Sequence, residues 1–524
     1  MTLRLLLTAT AAAAAATFPP RRKNVLFVVS DDLRPELPCY GCDHVVAPRT
    51  TALAAESITF TRAYAQQSLC APSRNSFLSG RRPARTKSWQ FRDDFREVGP
   101  DWTTLPGAFR KAGYQAVGTG KIFHPGLPPN EDLPYSWDTR INNTWADWSN
   151  PGEPRCPGNT SWCAVEDTGR RLQFQDTQIA ATALELLANV TRDETRPFFL
   201  AVGFRKPHLQ WRAPRRAFDA YPQNVSLAAR SQSPRNYVDL AFHIPVHESD
   251  MLSDWRECGG SQALTPRHNY ADVCQQAWRR GYYAAVTFMD EQLGVVLDGV
   301  KARGRERNTV VVFFGDHGWH LGDQNEWMKM TLYENAVRVP LLIKVPWAPH
   351  SAGRIVSAPV ELVDLFPTVA ALACVDTSYI TRESQPLDGR DLSRLFYGGA
   401  VDDNHVARSV YPRCVANASA AWRHNDCNDT PRRRFTHMGY STRDERWRFT
   451  VWYKWSHLRL APRGSPVAVE LYDHAGDVGR CDIAGGSALE DYEWANVASN
   501  HTPVVAAQLA RLERLFGIDA PVVM

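Results

Sequence analysis

Four polar residues with the chemistry of metal ligands stand directly after two apolar runs of the sequence. Asp31 and Asp32 follow the first run, and Asp316 and His317 follow another. Either group alone is explained by helix capping or turn formation. If both runs are strands of one sheet, the carboxylates meet at one edge and repel each other unless a cation lies between them. Oxygen ligands favour Ca²⁺ or Mg²⁺ over Zn²⁺, although a histidine ligand is less usual for Ca²⁺.

A second stretch whose residue types could carry out chemistry begins with a cysteine. Residues 70–81 read Cys-Ala-Pro-Ser-Arg-Asn-Ser-Phe-Leu-Ser-Gly-Arg. A lone cysteine in a secreted chain is most simply a disulfide partner, or a buried thiol ahead of a Pro-Ser turn. This cysteine differs from such a case by the fixed spacing of the residues that follow it, Pro72, Ser73, Arg74, Gly80 and Arg81.

Short apolar runs that alternate with helical patterns predict the scaffold that positions these residues. The runs cover 24–30, 197–202, 309–314 and 340–345, and the helical patterns cover 176–189, 274–300 and 363–374. Continuous apolar runs of this length are typical of strands buried on both faces. Their alternation with helices predicts an α/β layered domain, whose chemistry lies beyond the carboxyl ends of the strands.

The composition changes near residue 400, where a polar, Gly-containing break is followed by many aromatic residues and arginines. Residues 446–452 alternate like a strand, and 470–473 resemble another. We therefore predict a larger domain over 24–400 and a smaller α+β domain over 405–524.

With these residues in place, the chain resembles the sulfatases. In that family the cysteine at the position of Cys70 is oxidised to formylglycine, whose hydrated aldehyde attacks sulfur. The likeness runs in order from about residue 24 to 473, through segments 31–35, 65–67, 80–83, 120–125, 206–208, 316–319, 326–329, 363–368 and 438–441. It implies an alkaline-phosphatase-like layered sheet as the catalytic domain over 24–400.

The resemblance also implies a metal site and a modified residue. Asp31, Asp32, Asp316 and His317 match the family's metal ligands, and the modified Cys70 supplies a further ligand. Many sulfatases carry asparagine where this chain has His317. The expected cofactor is one divalent cation, Ca²⁺ before Mg²⁺.

Further roles follow from the same resemblance and from the charge of a sulfate ester. Lys121 and Lys329 are expected to hold the sulfate, and Arg74 to fix the hydrated aldehyde, because fixed cations stabilise the charge that develops during attack. His124 is expected to take a proton when sulfate is expelled. His208 is expected to protonate or stabilise the leaving oxygen, a step suited to a side chain that titrates near neutrality.

His317 and several of these segments resemble the branch that removes the 2-sulfate of iduronate residues in dermatan and heparan sulfate. The chain departs from that branch at 48–51, where it reads Pro-Arg-Thr-Thr, at Cys42, and over 137–176. Three alternatives therefore stay open. They are a sulfatase for another sulfated carbohydrate or small metabolite, a phosphate or phosphonate monoester hydrolase of the same superfamily, and a catalytically dead secreted glycan-binding protein.

The N-terminal residues predict entry into the secretory pathway. Residues 1–16 carry one positive charge, an apolar stretch and a run of alanines, which is typical of a cleaved signal peptide. Seven Asn-x-Ser/Thr sites favour a glycosylated surface in a eukaryote, at Asn142, Asn159, Asn189, Asn224, Asn417, Asn428 and Asn500. We expect a lysosomal or extracellular protein that meets a formylglycine-generating enzyme during maturation and then acts on sulfated saccharides.

The number and spacing of the cysteines limit how they can pair. The 11 cysteines leave at least one unpaired in an oxidising compartment, and Cys70 is the natural remainder. The pairs at 156 and 163 and at 414 and 427 are close enough to close local loops, and a Cys-x-x-Cys at 39–42 has no second pair to complete a zinc site.

A net charge of +4 argues against nucleic acid as the main partner. After residue 16 we find no run suited to crossing a bilayer, so no stable membrane insertion is expected.

Overall fold

A mixed β-sheet between two layers of helices forms the centre of the protein. The computed structural model describes residues 22–138, 144–145, 153, 156–169, 174–243, 257–258, 270–382, 386–400, 402, 404–414, 427–481 and 492–518. The predicted signal peptide and the sites at 142 and 417 lie outside the described residues. Within the described part, no helix combines the length and apolar character that a membrane span requires.

The strands of the large sheet and its attached ribbons come first in the chain. They are β1 (Asn24–Ser30), β2 (Ile58–Tyr64), β3 (Gln115–Gly120), β4 (Thr144–Trp145), β5 (Trp162–Val165), β6 (Phe198–Phe204), β7 (Trp211–Pro214), β8 (Thr309–Gly315), β9 (His320–Leu321), β10 (Trp327–Met328), β11 (Arg338–Lys344), β12 (Ile355–Val356) and β13 (Val360–Glu361). Among the described residues, the large sheet has the order β12-β2-β11-β8-β1-β6-β3-β4, with β13 also on β2. β5 pairs with β7, and β9 with β10, outside this sheet.

The four predicted apolar runs correspond to β1, β6, β8 and β11, and the predicted α/β class is confirmed. β1 pairs in parallel with β6 and β8, and β6 in parallel with β3, so the carboxyl ends of these four strands share one edge. β11 differs, because it runs antiparallel to both β8 and β2. Residues of β1 point alternately into two cores, since Leu26 and Val28 pack in one and Phe27 and Val29 in the other.

Helices cover both faces of the large sheet, and the last of them packs on a second, smaller sheet. They are α1 (Pro48–Ala55), α2 (Cys70–Ser79), α3 (Pro83–Thr86), α4 (Leu105–Lys111), α5 (Gln175–Val190), α6 (Arg215–Asp219), α7 (Asp272–Ala302), α8 (Glu334–Val337), α9 (Leu365–Leu372), α10 (Ser378–Arg382) and α11 (Thr502–Phe516). The predicted helices at 176–189 and 274–300 are α5 and α7. The predicted helix at 363–374 is shorter as α9, because a 3₁₀ turn over Leu362–Asp364 precedes it.

A second sheet is built from the C-terminal residues. Its strands β14 (Ala407–Arg413), β15 (His437–Arg443), β16 (Trp447–Ser456) and β17 (Ala461–Asp473) are antiparallel in chain order. Leu512 of α11 is buried in the core on this sheet. The predicted strand at 446–452 is the first part of β16, and 470–473 is only the end of the long β17. The limits 24–400 and 405–524 remain a prediction.

Four disulfide bonds tie the chain together, and both predicted local loops are closed. They join Cys156 to Cys163, Cys414 to Cys427, Cys258 to Cys274 and Cys42 to Cys481. The last bond spans 439 residues and links the loop after β1 to the region beyond β17. The Cys-x-x-Cys at 39–42 is therefore neither a redox pair nor a zinc half-site, since Cys42 is bonded to a distant partner and Cys39 is free.

A buried ion-pair network lies between the two sheets. Glu334 of α8 binds Arg448 of β16 and lies 3.5 Å from the guanidinium of Arg443, while Glu493 binds Arg448 at 2.5 Å and His474 at 3.2 Å. Arginines and a histidine thus contact these two acidic groups. Burial alone would raise the pKa of Glu334, but Arg448 and Arg443 outweigh it and hold this pKa well below its ordinary 4.5.

Removing Glu334 should destabilise the protein, because two buried arginines, Arg448 and Arg443, would each lose one of their acidic partners. We expect Glu334→Ala to lower the free energy of unfolding by about 3–5 kcal/mol, measured by urea denaturation. The ionised Glu334 contributes fully to the free energy of unfolding above pH 4.5. This contribution declines as the pH falls below that value, since the pKa of Glu334 is depressed in the folded state. Glu445→Ala, at an exposed position, is the control and should stay within about 0.5 kcal/mol of wild type. Equal stability of the two variants would contradict the prediction.

Candidate active site

Polar residues that directly follow three parallel strands lie together at one edge of the sheet. Asp31 and Asp32 follow β1, Lys121 follows β3, and Asp316 and His317 follow β8. All five are fully buried. Apolar strand residues place each of them, since every residue of β1, β3 and β8 is itself buried. The predicted common location of the acidic groups is therefore where the structure puts them.

Cys70 lies in the middle of this group as the first residue of α2. Its Sγ is 3.4 Å from Asp31 Oδ1, 3.3 Å from His317 Nε2 and 3.0 Å from Lys329 Nζ. Burial, and secondly the carboxylate of Asp31, raise the pKa of the thiol to about 12. Cys70 is thus neither a disulfide partner nor a thiolate, and an unmodified thiol here is a weak nucleophile.

Four side chains offer ligand atoms that lie within 4.8 Å of one another, namely Asp31, Asp32, Cys70 and His317. A cation fits among them for a physical reason: Asp32 Oδ2 is buried and has no hydrogen-bond donor. Burial, with Asp31 and Asp316 adding to it, raises the pKa of Asp32 well above its usual range despite the opposing effect of Lys329. A divalent ion would compensate this charge, and the two carboxylates suit Ca²⁺ or Mg²⁺.

Asp316, the remaining predicted ligand, is already engaged by the protein. Its Oδ1 accepts hydrogen bonds from the backbone N–H groups of Asp32, at 3.1 Å, and His317, at 2.9 Å. Its Oδ2 accepts one from Arg74 Nε at 2.9 Å, and lies 3.5 Å from His317 Nε2. Asp316 therefore borders the ligand group and orients its neighbours by these bonds.

Three cations surround the acidic residues. Lys121 binds the carboxylate of Asp31, and Lys329 Nζ lies 2.5 Å from Asp32 Oδ1. Arg74, one helical turn after Cys70, also lies 3.6 Å from Asp31 through Nη2. Burial alone would raise the pKa of Asp31, but Lys121, His208 and Arg74 together hold it well below its usual range.

Two histidines complete the predicted set. His208 Nε2 lies 4.0 Å from Asp32 Oδ2, while its Nδ1 is 2.7 Å from the carbonyl of Leu209. His124 is half-buried, with Nδ1 3.2 Å from the carbonyl of Pro125 and its ring 5.2 Å from that of Phe91. Burial lowers the pKa of both imidazoles well below the usual range, and Lys121 lowers that of His124 further.

Three residues of the site make contacts that sequence reasoning did not assign to them. Ser73 donates a hydrogen bond to the carbonyl of Asp316, at 2.5 Å, and so fixes α2 against the strand end. Lys206 was part of a recognised segment without a role of its own, yet it is buried beside His208. Asp176 sits at the start of a helix, where capping chemistry is expected, but it holds the loop that carries His208.

Comparison with known proteins agrees with this geometry. The family model described as Sulfatase matches residues 23–375. Two relatives are the iduronate 2-sulfatases of Mus musculus, 33% identical over 507 residues, and of Homo sapiens, 32% identical over 512 residues. Each alignment covers 86% of this chain and 88% of the relative. The solved phosphonate monoester hydrolase of Agrobacterium radiobacter matches with a TM-score of 0.69 and 19% identity, over 94% of this chain and 96% of that chain.

The layered sheet, with the buried cluster beyond its strand ends, is an alkaline-phosphatase-like fold. The chain belongs to the sulfatase family, whose activity is the hydrolysis of sulfate esters.

Loss of the Asp32 carboxylate, whose Oδ2 has no hydrogen-bond donor, should abolish tight binding of the metal. We expect Asp32→Asn to lower Ca²⁺ affinity by more than the roughly 10–100-fold typical of an outer-shell contact, because a direct ligand charge disappears. Calorimetric titration of chelator-stripped protein measures this, with Mg²⁺ as a second titrant. Asp298→Asn, on the exposed side of α7, is the matched control. Unchanged affinity in Asp32→Asn would remove Asp32 from the ligand set.

Proposed function

We propose that this sulfatase removes the 2-sulfate of iduronate residues in dermatan or heparan sulfate, using a formylglycine formed from Cys70. The observation that carries the mechanism is the position of Cys70, whose sulfur contacts Asp31, His317 and Lys329 in a fully buried site. The substrate is supported by about one-third identity to two proteins named iduronate 2-sulfatase. The catalytic domain is proposed to span 24–400, and a smaller domain 405–524.

A neutral thiol is poorly suited to attack sulfur, whereas a hydrated aldehyde offers two hydroxyl groups. One hydroxyl gives up its proton and attacks, so that a new S–O bond forms as the bond from sulfur to the sugar oxygen breaks, and the sugar oxygen leaves with a proton. The second hydroxyl then loses its proton, the carbon–oxygen bond to the sulfate breaks, and the aldehyde is restored as sulfate leaves. Addition of one water to the aldehyde regenerates the hydrate, so each turnover consumes one water. Covalent catalysis thereby divides one difficult step into two easier ones.

The charges of the site match this sequence. When bound, the divalent ion would be held by Asp31, Asp32, His317 and the modified residue 70, with Asp316 beside them, and would act as a Lewis acid on developing negative charge. Lys121 and Lys329 are proposed to contact the sulfate oxygens. Burial alone would lower the pKa of Lys329, but Asp32 and Cys70 raise it well above its usual range, so its charge persists.

Arg74 and the two histidines supply the remaining roles. Arg74 is fixed by Asp316 and is proposed to hold the hydrated aldehyde in place. His208 is proposed to donate the proton of Nε2 to the leaving sugar oxygen, since its Nδ1 faces a carbonyl and Nε2 faces the site. An arriving sulfate anion favours the protonated imidazole that this step needs. His124 is proposed to accept the proton released when sulfate is expelled.

The burial of Cys70 also bears on maturation. Only 1% of this residue is exposed, so a modifying enzyme cannot reach it in the folded chain. We propose that a formylglycine-generating enzyme acts before folding, in the secretory pathway, and that the mature protein works in the lysosome or outside the cell. Its partners would then be that enzyme and the sulfated saccharide.

The modification is tested by peptide mass spectrometry across residue 70 in active protein. We expect the sulfur of Cys70 to be absent and an aldehyde to be present, because the proposed mechanism needs the two hydroxyl groups of a hydrated aldehyde. Cys70→Ala should retain the fold and lose essentially all turnover, since the nucleophile is gone. Cys374→Ala, at an exposed free cysteine, is the matched control. An intact thiol in fully active protein would contradict the mechanism.

The substrate is tested with a panel of sulfated disaccharides, with Cys70→Ala as the blank. We expect the highest kcat/KM for a non-reducing 2-sulfated iduronate, and lower values for 6-sulfated glucosamine and for an aryl sulfate. A preference for another sulfated sugar would leave the sulfatase reaction in place but contradict the proposed substrate. The likeness in fold to a phosphonate monoester hydrolase calls for an aryl phosphate in the same panel. Faster turnover of the phosphate would overturn the proposed reaction.

A further inference from the structure

His208 lies in a short turn that is fixed by hydrogen bonds to neighbouring elements. We call residues 205–210 the His208 turn. It follows β6 directly, and its first backbone amides, those of Arg205 and Lys206, donate to the two oxygens of Asp176 at 2.8 and 3.0 Å. Asp176 lies in the first turn of α5, so the helix anchors the start of the turn.

Lys206 is buried within this turn, with 1% of its surface exposed. Its Nζ donates to the carbonyl of Gln210 and lies 3.5 Å from the carbonyl of His208. Its own carbonyl accepts a hydrogen bond, at 2.6 Å, from the hydroxyl of Ser30, the residue before Asp31. The side chain thus closes the turn on itself, while the backbone joins it to the strand that ends in the metal-site residues.

This closure determines which way the imidazole of His208 faces. The backbone N–H of His208 donates to Arg205 O at 2.9 Å, and Nδ1 lies 2.7 Å from Leu209 O. A carbonyl at that distance requires Nδ1 to carry the hydrogen, which leaves Nε2 facing Asp32. Leu209 lies between the two residues whose carbonyls Lys206 holds.

We propose that Lys206 is a positioning residue for the acid step: the N–H donors of its side-chain nitrogen fix the His208 turn so that Nε2 of His208 faces the leaving oxygen. This inference rests on the proposed role of His208 and adds a residue on which that role depends. Lys206 acts through His208 and contacts no reacting atom. Its loss should therefore matter most for esters whose leaving oxygen needs a proton.

The test compares two classes of ester in Lys206→Met, which keeps the length of the side chain and removes its donors. A sugar sulfate has a strongly basic alcohol as leaving group, whereas a nitrophenyl sulfate leaves without a proton. We expect kcat on the sugar sulfate to fall about 10-fold or more, as part of the roughly 10²–10⁴-fold that a general acid contributes. We expect kcat on the nitrophenyl sulfate to stay within a few-fold of wild type. Lys301→Met, at an exposed position of α7, is the matched control.

His208→Ala, measured in parallel, separates the two proposals. It should show the same selectivity with a larger loss. If His208→Ala slows both esters equally, the acid role is wrong and the inference on Lys206 falls with it. If His208→Ala is selective but Lys206→Met slows both esters equally, or neither, only the inference on Lys206 is overturned.

Two further arms keep the proposal testable if the first variant or substrate fails. Should Lys206→Met not fold, Lys206→Gln keeps a donor but is too short to reach both carbonyls, and it should show the same selectivity with a smaller loss. A uniform loss there overturns the proposal. Should the wild type not turn over aryl sulfates, a crystal structure of either variant decides. We expect the imidazole of His208 turned away from Asp32, and an unchanged ring refutes the proposal.

Discussion

The structure of the site depends on the mutual compensation of buried charges around Cys70. Asp31, Asp32 and Asp316 are removed from water together, and each isolated carboxylate would be very costly there. Lys121, Lys329 and Arg74 compensate them through direct contacts, and one carboxylate oxygen of Asp32 is left for a cation. In the proposed mechanism, the cations that compensate these buried carboxylates also stabilise the charge that develops when the sulfur of a sulfate ester is attacked.

The sheet makes this arrangement possible by its direction. Parallel strands β1, β3, β6 and β8 end at one edge, so residues that follow them converge although they are far apart in the chain. The helix α2 then brings Cys70 and Arg74 over that edge, where Ser73 bonds to the carbonyl of Asp316. Chemistry is thereby placed on rigid elements, and the turn that carries His208 is fastened to the same scaffold by Asp176 and Ser30.

Prediction from sequence succeeded where a residue pattern has one physical explanation. Continuous valine-rich runs gave β1 and β8 to within one residue, because strands buried on both faces are apolar throughout. β2 and β3 were missed, since Thr and Arg interrupt β2 and two glycines interrupt β3. Arg62 is tolerated inside β2 because its guanidinium donates to the carbonyls of Glu445 and Asp477, which are far away in the chain.

The sequence by itself determined which chemistry to expect, because the spacing around Cys70, the acidic residues after strands and the basic residues in recognisable segments are all local patterns. Only the tertiary structure decided which partners these groups bind. In it, Asp316 accepts hydrogen bonds from Arg74 and two backbone amides, Cys42 forms a disulfide with Cys481, and Lys206 contacts the carbonyl of His208. The physical reason is that hydrogen bonds and disulfides between distant segments depend on which strand ends and loops meet in space, and no local pattern of residues records that.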